Sequence, residues 1–145
     1  MTALVLAALS GVLMAFQGTL NSALSKVIGL LEATFIVHVV GLGVTMALLV
    51  LQLGRGDWQQ MGKASWYTYL GGFLGVGIVY LVVKTIPKLG AAAATTAIIV
   101  GQVSTAALAD YFGWFGLKPV PFGIWQGFGL ILMAGGAWLL LSPRQ

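Results

Sequence analysis

A chain of 145 residues with 59% hydrophobic and only 7% charged side chains cannot clothe a soluble surface, because soluble domains carry about a quarter of their residues as charges. Mean hydropathy is +1.01, so the expected class is an all-α integral membrane protein, a single transmembrane domain embedded in the lipid bilayer. The net charge of +4 is spread thinly over the loops, without the basic patch or aromatic platform that nucleic acid needs, and the absence of cysteine excludes disulfides, thiolate metal sites and cysteine nucleophiles.

Five apolar runs are each long enough to cross about 30 Å of hydrocarbon as helices. The first is expected from Ala3 to Leu24. It lacks the basic region and small-residue cleavage site of a signal peptide, so it should stay as a spanning helix. Gln17 and Asn21 lie four residues apart and share one of its faces. Lys26 marks its exit. The second span, Ala33 to Leu53, opens on Glu32, whose carboxylate complements a helix N-terminus. It carries His38, the one side chain that ordinarily titrates near physiological pH. The polar stretch Gly54 to Lys63 follows.

The third span, Ala64 to Val83, starts with Trp66, Tyr67 and Tyr69, as an interfacial belt does. Gly71 and Gly75 make a GxxxG pair suited to close helix packing. Lys84, Pro87 and Lys88 predict a tight turn, so spans three and four should form an antiparallel hairpin. The fourth span, Leu89 to Asp110, is uncharged until its last residue. Ala93, Ala97, Gly101 and Thr105 form a small-residue ladder along it, which favours a close helix crossing. Thr95 and Gln102, seven residues apart, face one way. An amide near mid-depth needs a polar neighbour or a watery cavity. An aromatic loop, Tyr111 to Pro121, leads to the fifth span, Phe122 to Leu141, with Arg144 anchoring its far end.

Five spans put the termini on opposite sides of the membrane. One side then receives Arg55, Lys63 and Lys118, and the other Lys26, Lys84, Lys88 and Arg144. Three against four is almost no bias, and the distribution of lysine and arginine is what normally sets orientation.

Several short patterns occur in order: QxxxN at Gln17 and Asn21, GGFLG at Gly71 to Gly75, and PKLG at Pro87 to Gly90. GQ at Gly101 and Gln102 and DYFG at Asp110 to Gly113 follow. Together, over essentially the whole chain, they resemble the YdcZ-like family, five-helix members of the drug/metabolite transporter superfamily. The resemblance implies a multi-pass protein of the bacterial inner membrane that works as a dimer of five-helix units. It also implies members inserted in both orientations, and relatives with two units paired or fused in opposite orientation. Near the start of the fifth span, where the family pattern leads one to expect arginine, this chain has Gln126. An anion-binding role is therefore not carried over to that position.

The function expected from these observations is a secondary transporter of a small metabolite or drug-like solute. It would alternate access within an antiparallel homodimer of ten helices, with dual topology. The alternatives are a small dual-topology ion channel, or a non-transporting subunit of a paired heterodimer. Gln17, Asn21, Gln102 and Thr95 are the candidate pathway residues, each weighed against a plain interhelical or same-helix hydrogen bond. His38 is the candidate for proton linkage, with a hydrogen-bonded packing histidine the favoured alternative. Gly71, Gly75, Ala97 and Gly101 are candidate packing positions. Glu32 and Asp110 read as helix-end charges or lysine partners. No acid occupies mid-span, which disfavours cation export through a buried carboxylate. No nucleophile–base set, paired carboxylates or metal-ligand cluster points to an enzyme, a metal or a cofactor.

Overall fold

The computed structural model describes residues 1–142, so Arg144 lies outside the described residues. It contains five α-helices: α1 (Thr2–Ile28), α2 (Leu30–Val50), α3 (Leu70–Leu89), α4 (Ala91–Phe112) and α5 (Ile124–Leu141). The three-residue to six-residue 3-10 turns at Trp58–Lys63, Trp66–Tyr69 and Trp114–Gly116 fall in the two long connections. All five helices are long and apolar enough to cross a membrane. The chain divides into two compact units, Met1–Lys88 with α1 to α3, and a second from Leu89 onward with α4 and α5.

In the first unit only Gly29 separates α1 from α2, and the two helices pack on each other next to it. Gly29 takes φ +102°, and a Cβ there would collide with the Glu32 carboxylate, which folds back over the start of α2. A carboxylate in the first turn meets the positive end of the helix dipole. The packed faces are made of small side chains: Gly18, Asn21 and Ser22 on α1 are buried, as are Ala33 and Thr34 on α2. Helix α3 also comes close at Gly18. A Cβ on Gly18 would stand 3.0 Å from both Ile86 Cδ1 and Val82 Cγ1. Val83 and Ile86 complete this core. Outward-facing leucines, valines and phenylalanines remain exposed along the same helices. In lipid such a surface is no penalty, and close fit between small residues holds the helices together.

The expected turn at Lys84 to Lys88 is helical instead. Helix α3 runs on through Lys84 and Pro87 to Leu89, and the break is the single residue Gly90 at φ +82°. Pro87 has no N–H to donate to the Val83 carbonyl, and only two residues of the helix follow it. At its other end α3 starts at Leu70, preceded by the 3-10 turn from Trp66. The loop before it is tied down by its own polar groups. The Asp57 carboxylate accepts from Gln59 N at 2.9 Å and from Gln60 Nε2 at 3.1 Å, and Tyr69 Oη donates to Met61 O at 2.6 Å.

In the second unit α4 and α5 pack on each other, with Ala94 and Ala137 buried. Gly113 ends α4 in the left-handed region, at φ 63° and ψ 39°. A Cβ there would meet Pro119 Cγ at 2.8 Å and the Leu117 carbonyl oxygen at 2.9 Å, so the loop closes tightly only over glycine. The Val120 N–H donates to the Asp110 carbonyl at 2.9 Å and ties the loop back to the helix. Phe112 stacks on Trp114, with ring centroids 6.0 Å apart, and Tyr111 meets Phe112 edge-on. These rings make an aromatic cluster of the kind that sits at a membrane interface.

Candidate functional site

The candidate pathway residues fall in both units. On α1, Gln17 is exposed and Asn21 is 8% exposed. Neither amide makes a side-chain hydrogen bond among the described residues. Asn21, Ser22 and Thr34 are the buried polar residues of the first unit, and they cluster at the end where Gly29 joins α1 to α2. The Ser25 and Thr34 hydroxyls bond their own helices: Ser25 Oγ donates to Ser22 O at 2.8 Å and Thr34 Oγ1 to Leu30 O at 2.9 Å. Asn21 and the Ser22 hydroxyl are thus the side-chain groups of this seam without a hydrogen bond among the described residues.

His38 lies one turn beyond Thr34 on α2 and is half-buried. Its Nδ1 stands 2.7 Å from the Thr34 carbonyl oxygen. A carbonyl only accepts, so Nδ1 carries the proton, and in the neutral ring Nε2 is the acceptor. A Cβ on Gly75 would lie 4.0 Å from that Nε2, so the glycine of α3 leaves room in front of the imidazole. His38→Asn is expected to leave the pH profile of flux unchanged and to lower the unfolding temperature slightly, since one hydrogen bond is worth about 0.5–1.5 kcal/mol. A displaced profile at unchanged stability would instead assign His38 a part in proton movement.

On α4, Thr95 and Thr96 separate cleanly. Thr96 Oγ1 donates to Ala92 O at 2.9 Å, the same-helix bond expected of a membrane threonine. Thr95 makes no such bond and is half-buried. Gln102, seven residues on, is exposed and has no partner among the described residues. Ala97 and Gly101 are also exposed, and a Cβ on Gly101 would meet nothing within 4 Å. Within the second unit, α5 does not lie against Gly101 among the described residues.

A Cβ on Gly71 would likewise meet nothing within 4 Å, so Gly75 alone of the GxxxG pair has a neighbour. Gly18 makes a close crossing, and the sequence carries a signal for it in the small-xxx-small spacing of Gly18 and Ser22. Glu32 sits at the helix end as its position suggests. Asp110 lies near the end of α4 without an ion pair among the described residues, so no lysine neutralises it there. No group of three or more histidine, cysteine, aspartate or glutamate residues among those described could hold a metal ion.

Residues 2–139 match the model of the family described as "Putative inner membrane exporter, YdcZ". No curated protein and no solved structure matches the chain.

Proposed function

The chain belongs to the YdcZ family and is a multi-pass protein of the inner membrane, and on that premise we propose that it is a secondary transporter of a small organic solute, working as an antiparallel homodimer. The family match over residues 2–139 carries the transport assignment. Support for the dimer comes from the amides. Gln17 and Gln102 sit exposed on helices of membrane length, where lipid offers them no hydrogen bond. A second copy would cover these faces and leave the amides lining an interior. Two copies inserted in opposite senses give structurally related halves able to rock about a site near the midplane. In this scheme Gln17, Asn21, Thr95 and Gln102 contribute hydrogen bonds to the solute. No carboxylate is placed in mid-span, so recognition there rests on amides and hydroxyls.

Counterflow in proteoliposomes tests the assignment. Vesicles preloaded with a transported solute should take up labelled solute faster than empty ones, and uptake should saturate. Unitary currents in planar bilayers, without counterflow, would make the protein a channel. Uptake that requires a co-expressed homologue of opposite orientation would make it one subunit of a pair.

A further inference from the structure

We propose that the α4–α5 hairpin holds a binding site for an amphiphilic organic ammonium ion, with Asp110 as its anionic group. The site is a cleft of about 350 Å³, within the size range of small-molecule pockets. Its wall is polar at one end and apolar at the other. Asp110 near the end of α4 and Gln126 near the start of α5 line one end. Val103 and Met133 line the other. Each of these pairs, Asp110 to Val103 and Gln126 to Met133, spans seven residues of helix, so the cleft runs about 10 Å from headgroup level towards the hydrocarbon. Leu130 and Phe122 also line it, and an aromatic ring beside a bound cation adds attraction.

The charge balance selects the class of ligand. Asp110 stands in the last turn of α4, where the helix dipole presents its negative end, so a carboxylate is unfavourable there until a cation joins it. Neither Lys118 in the adjoining loop nor any other described cation pairs with it. An alkylammonium supplies the missing positive charge at the mouth and lays its chain along Leu130 and Met133. An anionic amphiphile would meet repulsion at the same place, and a neutral one would gain only the apolar contact. The ammonium could come from a free lipophilic amine or from an ethanolamine lipid headgroup. This site is separate from the amides assigned to translocation and is read by binding without flux, so its failure leaves the transport assignment standing.

Octyltrimethylammonium titrated calorimetrically into the full chain in a neutral maltoside detergent is the test. Saturable binding is expected, weakened at least tenfold by Asp110→Asn and largely kept by Asp110→Glu. The main-chain bond from Val120 to the Asp110 carbonyl does not depend on the side chain, so Asp110→Asn should unfold at the wild-type temperature. Should that variant be unstable, the wild-type protein still decides: octanol and octyl sulfate must bind at least tenfold more weakly than the ammonium. Competition by phosphatidylethanolamine supports the site with a lipid as its occupant, and lack of competition supports it with a solute. Equal binding to Asp110→Asn and wild type, or equal binding of octyl sulfate, overturns the proposal.

Discussion

Gly18→Leu is expected to lower the unfolding temperature of the protein. The hydrogen that faces α3 at Gly18 occupies the place where a Cβ would lie 3.0 Å from two methyl carbons, Ile86 Cδ1 and Val82 Cγ1. A leucine adds three carbons beyond that Cβ, and overpacking of this kind typically costs about 1–3 kcal/mol. Leaving glycine in a helix interior gains back about 0.8–1.0 kcal/mol, which offsets only the low end of that range. Gly18→Ala has a different balance. Its single methyl needs Ile86 and Val82 to give by a few tenths of an ångström, and the helix gain is of similar size, so stability should change little. Unfolding temperatures in detergent check the pair. If Gly18→Leu unfolds with the wild type, α1 and α3 do not cross at this point.

Gly101→Leu offers the contrast. With nothing within 4 Å of its Cβ position, the substitution should spare the stability of the single subunit. Under the proposed dimer it should weaken self-association, because the ladder is then a crossing between copies.

How much of the molecule is legible in its sequence depends on what kind of physics decides each feature. The five helices are, because about twenty apolar residues bounded by charge admit few alternatives in a bilayer. Their ends are less so. Lys84, Pro87 and Lys88 look like a turn, yet α3 continues to Leu89, with Pro87 and Lys88 in its last turn and Lys84 about one turn earlier, close to the interface. Which glycine meets a neighbour is a tertiary outcome. Gly71, Gly75, Gly101 and Gly18 are equivalent to local reasoning, and only the register of α1 against α3 makes Gly18 the close crossing. The sequence places Thr95 on the face of Gln102 but does not say which of Thr95 and Thr96 bonds its own helix, because that choice is made by rotamer and surroundings. Asp110 reads in the sequence as a helix-end charge, and what separates it from Glu32 is which end it occupies. Glu32 complements its helix, while Asp110 opposes its own and lines a cleft.

Gln102→Leu should reduce flux at least tenfold while leaving the protein folded and dimeric. The amide has no hydrogen bond to lose among the described residues, and its side chain is exposed, so leucine creates neither an orphaned partner nor a clash within the chain. Leucine is moreover a better lipid-facing residue than glutamine, so a purely structural reading predicts unchanged or improved stability and normal flux. Loss of flux with intact folding is thus diagnostic of a pathway role. Initial rates of counterflow, paired with unfolding temperature and size in detergent, separate the outcomes. Wild-type rates in Gln102→Leu would remove Gln102 from the pathway.

Inverted assembly is best tested by where the C-terminus lies. Seven basic residues are divided three against four by a five-span chain, Arg55, Lys63 and Lys118 against Lys26, Lys84, Lys88 and Arg144. So small a bias is what insertion in both orientations would require. C-terminal fusions to one reporter active only in the cytoplasm, and to another active only outside it, should therefore give comparable signals for the native sequence. Two or three lysines added between Gly54 and Lys63 should hold that loop inside and extinguish one signal. A native protein that activates a single reporter and crosslinks as a parallel pair would contradict the antiparallel dimer.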